Sequence, residues 1–419
     1  MRDPVIHVVG AGLAGLAAAV ALAKNNVRVV LHESGAQAGG RCRSYFEPAL
    51  GMMIDNGNHI VLSGNRHAMA YVGMTGARGE LSGPEDARFE FVDLATSQRW
   101  CVRPNGSRLP WWIFSKQRRV PGSRAADYLA LGRILLAGRN STIADAMPCS
   151  GPLYERLWHP LLLAALNTDP AEASAALAAK VIRETLVLGG QACRPLVAAN
   201  GLSGAFVDPA LAFLARHGAA VHLGRRLRAI GFSGDSASML HFADGDKALD
   251  EGDSLVLAVP SGVAATMVPG LVVPTLHRAI VNGHFQMVPP RQCPAMLGLV
   301  NGTVEWIFAY PDRLSTTISG ADRLLDVPRE KLAQAMWRDI QAATGIEAPL
   351  PPWQVIKEKR ATFAALPGEN RKRPPARTSW RNLVLAGDFT DTGLPATIEG
   401  AVRSGFCAAA ILQPACALI

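Results

Sequence analysis

An α/β fold with an α+β domain inserted into it is what this chain predicts, and three observations carry the prediction. The first is a strand, turn, helix and second strand at the very start, from Val5 to Leu31. The second is a buried-type strand late in the chain, Asn382 to Asp388, which ends in Gly-Asp and opens into a helix. The third is the stretch between them, where the glycine fingerprints vanish after about residue 75 and β character returns near residue 195. At 419 residues the chain is too long for one simple core, so two domains are expected.

The opening unit is the most explicit. The apolar run Val5 to Val9 meets G-x-G-x-x-G at Gly10 to Gly15. Leu13, Leu16, Ala17 and Val20 then recur at i, i+3, i+4 and i+7, one face of a helix. A second apolar run, Val27 to Leu31, ends in His32-Glu33-Ser34. This is the dinucleotide-binding βαβ unit of a Rossmann-type domain. Gly10 permits the tight turn, Gly12 lets the backbone approach a pyrophosphate, and Gly15 lets helix and strand pack closely. Leu13 and Ala14 open the helix, whose free N–H groups and positive dipole end face the phosphates. Glu33 lies 23 residues after Gly10, where a carboxylate takes ribose hydroxyls, with Ser34 beside it.

Gly39-Gly40-Arg41 follows the second strand, and then Asp55-Asn56-Gly57-Asn58-His59. The pattern G-G-R-x-x-S, Gly39 to Ser44, resembles the second signature of the flavin amine oxidase superfamily, which also holds phytoene desaturases and protoporphyrinogen oxidase. The resemblance implies FAD, with Gly39, Gly40 and Arg41 lining its pyrophosphate side and Asn56 and Gly57 in a turn under the flavin. His59 carries two readings, a structural histidine beside the cofactor and a proton-transfer group.

Composition narrows the class. The chain is 49% apolar and 18% charged, as an ordered globular protein is. A net charge of +8 and a pI near 9.3 suit an anionic surface. No nucleic-acid motif is present, so a membrane is the expected partner. The seven cysteines are scattered, with no C-x-x-C and no metal-spaced histidine cluster, so neither disulfides nor a metal is expected and the compartment is a reducing one. The first strand begins too early for a signal peptide, and no run is long and apolar enough to span a bilayer. A cytoplasmic protein, peripheral on the inner face of the cytoplasmic membrane, is expected.

Residues 1–75, 195–265 and 371–419 are assigned to the FAD-binding domain, and 76–194 and 266–370 to the substrate domain. In the first substrate segment, Cys101 to Arg124 holds six cations (Arg103, Arg108, Lys116, Arg118, Arg119, Arg124) and no acid, around Leu109-Pro110-Trp111-Trp112-Ile113-Phe114. Aromatics within a cationic run describe an interfacial membrane contact; a core pair of tryptophans with a solvated cationic rim is the other reading. Helices are predicted over Tyr128–Ala137 and Pro152–Leu166. A helix through Leu214, strands over Gly218–Leu223, from Leu227, and over Ser254–Pro260 return to the nucleotide domain. The second substrate segment reads as strands at Val281–Phe285, Val304–Phe308, Thr316–Gly320 and Lys357–Phe363, with a helix at Gln334–Ala342. Arg371 to Arg377 reads as a basic, Pro-rich linker.

The last segment, Ala386-Gly387-Asp388 followed by Glu399-Gly400-Ala401-Val402-Arg403-Ser404-Gly405, resembles the superfamily's C-terminal flavin motif. The resemblance implies that Asp388 bonds a cofactor hydroxyl, that the helix starting at Thr397 and Ile398 points its N-terminus at the flavin, and that the strand at Leu227 contacts adenine through its backbone. Within the superfamily, Asp55 to His59, Leu157-Trp158-His159-Pro160-Leu161, Ala165 to Thr168, Glu358 to Phe363 and Gly387 to Thr397 resemble the hydroxysqualene dehydroxylases over essentially the full length; Asn58 stands where Gln is expected. That resemblance implies reductive removal of the hydroxyl of hydroxysqualene with reduced FAD as hydride donor. His59 and His284 are then candidate proton donors, and Phe285, Trp306 and Phe308 candidate walls for an allylic cation. No second dinucleotide motif names an electron donor. An isoprenoid desaturase or other oxidase, and a non-enzymatic FAD-bound protein, are the rival readings.

Overall fold

The computed structural model describes residues 3–417. A parallel sheet of five strands forms one half, in the order Ala220–His222, Arg28–His32, Val5–Val9, Ser254–Leu257, Leu383–Leu385. Val5–Val9, Ser254–Leu257 and Leu383–Leu385 are buried on both faces, which is why they read as continuous apolar runs, while the edge strand Ala220–His222 is largely exposed. Val8, Val256 and Val384 pack on the helices Leu13–Lys24 and Ile398–Leu412. Val9, Leu257 and Leu385 point the other way, toward the antiparallel strands Leu227–Ser233 and Ser236–Phe242. The two helices touch backbone to backbone: a Cβ added at Gly405 would lie 2.2 Å from the carbonyl oxygen of Ala14.

A seven-stranded mixed sheet forms the other half, in the order Trp353–Phe363, His277–Phe285, Leu314–Ile318, Trp306–Ala309, Met296–Val300, Phe89–Asp93, Arg99–Val102. The predicted strands lie within or overlap these, and the predicted helix lies within Arg329–Thr344. Strand alternation sorts the residues. Val281, Phe285, Leu314 and Ile318 face the helix Arg329–Thr344. Phe91, Trp306 and Phe308 face the helical segment that carries Trp112, Tyr128, Leu157 and Trp158.

Two local expectations are corrected. The predicted helix Pro152–Leu166 contains a widened π turn at Tyr154–Trp158 before His159–Leu166 begins. Pro160 has no N–H to donate, and the turn ahead of it loosens. The stretch 371–377 is not a solvated linker. Arg373 is buried, and its guanidinium donates to the carbonyl oxygens of Asp388 and Thr390 and to the Thr392 hydroxyl.

Buried ionisable groups set a pH window for the fold. His32 stacks between His7 and His222, and burial pushes it down to about 3. His284, wholly buried, is also pushed down to about 3 by burial. Below pH ~6.5 the unfolded chain binds protons that these rings refuse, so each removes up to ~1.4 kcal/mol of stability per pH unit as pH falls toward 3. Glu305 accepts the Ser319 N–H, and burial pushes its carboxyl up to about 8. The folded chain therefore keeps a proton that the unfolded chain releases, and stability falls as pH rises from about 4.5 to 8. The melting temperature is expected to peak near pH ~6.5, and Glu305→Gln to flatten its alkaline side. A wild-type melting temperature that climbs steadily to pH 8 would contradict this.

Candidate functional site

The C-terminal ends of the parallel strands carry the site, as the topology of an open α/β sheet requires. Gly10 sits at φ +104°, and a Cβ there would lie 2.3 Å from the Ala258 carbonyl oxygen. A Cβ on Gly15 would lie 1.8 Å from the Gly10 carbonyl oxygen. Gly12 differs: a Cβ there meets no atom within 4 Å. Two of the three fingerprint glycines are jammed against backbone and the third faces a space. Leu13 and Ala14 bury their side chains, so what they present to that space is the backbone N–H groups of the first helical turn.

Glu33 closes one end. Its carboxylate accepts the N–H groups of Ala11 (2.8 Å) and Gly35 (2.7 Å) and the Ser34 hydroxyl (3.1 Å). Leu227 is buried against the sheet core. The residue that meets Glu33 there is Arg225, whose N–H donates to the Glu33 carbonyl at 2.7 Å and whose guanidinium lies over Phe242 at 4.2 Å. A single arginine in a turn has no spacing signal, and the sequence reading missed it.

Gly39 and Gly40 cross over the first loop. The Gly39 N–H donates to the Ala11 carbonyl at 2.7 Å, and both glycines have positive φ. Arg41 then reaches the third motif, pairing with Asp388 at 2.8 Å. Three motifs, the third 347 residues beyond Arg41, thus meet at one place. The Arg41 side chain remains 45% exposed, so donors are left for a further anion. Behind them, the Gly387 N–H donates to Ser404, and Thr397 caps the last helix by accepting the Gly400 N–H at 3.1 Å, with Ile398 buried beside it. Glu399 of the same motif turns away. It accepts the N–H groups of His67 and Ala68 and so caps the helix Arg66–Thr75.

The loop Asp55–His59 joins this cleft to the seven-stranded sheet. Asp55 accepts the Ser44 hydroxyl (2.6 Å) and the Leu202 N–H (2.8 Å). The Asn56 amide donates to Glu358 at 3.3 Å. A Cβ on Gly57 would lie 3.1 Å from the Asn282 amide nitrogen. Asn58 donates to the Thr316 carbonyl and the Thr317 hydroxyl, both at 3.1 Å. His59 is half-buried, and burial together with the Arg41 guanidinium pushes it down to about 4, so the ring is neutral at pH 7.

Four candidates take other places. His284 has no exposed surface and bonds Ser315 through Nδ1 at 2.8 Å, while its Nε2 is buried without a hydrogen-bond partner. Phe285, one residue on, faces the opposite side of the sheet and packs on Trp337, with ring centroids 5.5 Å apart, so it walls no cavity shared with His284. Trp306 and Phe308 are on the right face but are buried in the core there. The tryptophan pair divides: Trp112 is 4% exposed, as a core residue is, and Trp111 is 63% exposed.

Comparison with known proteins agrees with this geometry. The family of flavin containing amine oxidoreductases matches residues 13–289 and 292–412. A hydroxysqualene dehydroxylase of Rhodopseudomonas palustris is 53% identical, over 98% of both chains. Another, of Zymomonas mobilis, is 46% identical over 97% of this chain and 98% of its own. Among solved structures, a putrescine oxidase bound to putrescine superposes with a TM-score of 0.71 at 14% identity, over 99% of each chain.

Proposed function

The chain belongs to the flavin containing amine oxidoreductase family, and on that premise we propose that it removes the hydroxyl group of hydroxysqualene reductively, giving squalene and water. It is an FAD-dependent oxidoreductase. The observation that carries the substrate reading is end-to-end similarity to hydroxysqualene dehydroxylases. FAD, when reduced, supplies the hydride.

The chain's own residues do the rest. The space at Gly12, the first-turn N–H groups and Arg41, which Asp388 holds in place, would bind the diphosphate of FAD. Glu33 would take ribose hydroxyls, and the N-terminus of the helix Ile398–Leu412 would offer a positive end to negative charge on the flavin. The apolar face of the seven-stranded sheet and the helices on it exclude water. An allylic hydroxyl leaves as water once protonated, so a proton must be held beside it. His59 is the candidate that keeps partial access. It is neutral at rest, held so by burial and by the Arg41 guanidinium.

His59→Ala is expected to keep FAD bound and to slow flavin reoxidation by substrate by roughly 10²-fold or more, read by stopped-flow absorbance. An unchanged rate would remove His59 from the chemistry. The decisive experiment is anaerobic: reduce the holoenzyme, add hydroxysqualene, follow the flavin spectrum and extract the lipid. Reoxidation with stoichiometric squalene supports the proposal. Bleaching of oxidised enzyme by squalene or another polyene would sink it and favour a desaturase. Amine oxidation is disfavoured by the C-terminal loop, whose one aromatic residue, Phe389, is buried among Val9, Leu257 and Leu385. A substrate of this length and polarity resides in a bilayer, which supports reading the enzyme as a peripheral membrane protein; the inner face of the cytoplasmic membrane is the position proposed.

A further inference from the structure

We propose that the surface built by residues 108–136 is a docking face for an anionic lipid bilayer, and that substrate passes from the bilayer into the protein through it. The second clause rests on the substrate reading above; the first does not.

The short helical turn Trp111–Phe114 is split in two. Trp112 and Ile113 are 4% and 8% exposed, whereas Leu109, Trp111 and Phe114 are 62–64% exposed. The Trp111 and Phe114 rings lie 6.2 Å apart, so the outward pair is a contiguous apolar tip. The next two elements repeat the arrangement. Tyr128 and Ile134 are buried, while Leu129 and Leu136 are 74% and 88% exposed. Isolated exposed leucines are ordinary on a protein surface; five large exposed apolar side chains within residues 109–136 mark an interaction face.

Charge selects the partner. Arg103, Arg108, Lys116, Arg118, Arg124 and Arg133 are all exposed. Between residues 101 and 136 the one acid is Asp127, and it pairs with Arg124 at 3.5 Å. Apolar tips set among exposed cations match an anionic bilayer, which offers hydrocarbon and phosphate together. A nucleic acid would satisfy the cations and leave Leu129 and Leu136 without a partner. Among the described residues no helix is long and apolar enough to cross a membrane, so the attachment proposed is interfacial.

The apolar matter is continuous behind the face. Trp112 meets Tyr128 edge-on at 5.1 Å, and Tyr128 meets Trp158 at 6.1 Å. These rings belong to one cluster that extends to Trp306, Phe308 and Phe363, and Ala396 of the C-terminal flavin motif packs against it. The cluster packed between the exposed turn and the flavin motif is the apolar lining that an isoprenoid chain entering there needs.

The test uses holoenzyme and vesicles of phosphatidylcholine with or without phosphatidylglycerol. Wild type is expected to sediment with the anionic vesicles, less at high salt, and not with phosphatidylcholine alone. The combined Trp111→Ser, Phe114→Ser, Leu136→Ser variant is expected to bind at least tenfold more weakly, with unchanged flavin absorbance and unchanged turnover of detergent-dispersed hydroxysqualene. Arg108→Gln with Arg118→Gln should lower the salt dependence. Wild type that ignores anionic vesicles, a triple variant that binds as wild type does, or preferential binding to duplex DNA would each overturn the docking face. Vesicle binding that is lost in the triple variant while hydroxysqualene is never converted in any form would uphold the face and overturn the substrate clause.

Discussion

Gly12→Val is expected to give a folded, colourless protein, whereas Gly15→Val is expected to give little folded protein at all. The two positions are three residues apart in one fingerprint, yet their surroundings differ in kind. At Gly15 the first side-chain atom would lie 1.8 Å from a backbone oxygen and 3.2 Å from Ala258 Cβ. Neither neighbour is the tip of a flexible chain, so helix and strand must separate, and the core that Leu16, Ala17 and Val20 build with the sheet goes with them. At Gly12 the backbone is extended, at φ −72° and ψ 175°, and the added atom meets open space. Valine there costs the apoprotein little. It fills the place a diphosphate needs and turns a close backbone approach into a clash. The affinity for FAD should fall by roughly 100-fold or more, equivalent to ~2.7 kcal/mol. The check is the ratio of flavin to protein as purified, with a titration of added FAD and a melting curve on the same samples. A yellow Gly12→Val protein would mean that the diphosphate lies elsewhere, and a stable Gly15→Val protein would mean that the helix is not held as described.

That contrast also shows what could be read from sequence and what could not. The fingerprint glycines, Glu33, Gly39-Gly40-Arg41 and Gly387-Asp388 are legible because each answers a local backbone requirement, and such requirements leave fixed spacings. Continuous apolar runs located the parallel strands for the same kind of reason. What stayed hidden is what depends on distant partners. The pairing of Arg41 with Asp388 joins residues 347 positions apart. Nothing in the run Glu399-Gly400-Ala401 announces that Glu399 serves another helix. His284 and Phe285 adjoin in sequence, yet strand alternation sends them to opposite faces. The tryptophan pair could not be divided without knowing which side of a short turn faces the core.

Arg373 is the strongest case of a hidden partner, and Arg373→Met is expected to cost about 2–4 kcal/mol of stability and to loosen FAD. Basic, proline-rich surroundings disguise it as linker. In the structure it is 5% exposed, stacks its guanidinium on Phe363 at 4.9 Å, and donates to three acceptors on the loop 388–392. Burial pulls its pKa down to about 10, which still leaves it charged at pH 7. Methionine fills much of the volume and supplies no donor, so the carbonyls of Asp388 and Thr390 lose their partner in a dry place, at roughly 1–3 kcal/mol each, offset in part because no cation is then desolvated. The loop they belong to also fixes Asp388, and Asp388 fixes Arg41. The damage should therefore reach the cofactor although Arg373 itself does not line the space at Gly12. Arg371→Met is the control: that side chain is exposed, bonds Asn140 at 2.9 Å, and should shift stability by no more than about 0.5 kcal/mol. Denaturant unfolding of both variants, paired with the rate of FAD loss on dilution, separates the two expectations. Equal behaviour of the two methionine variants would show that the loop is held without Arg373, and the route from this segment to the flavin site would have to be redrawn.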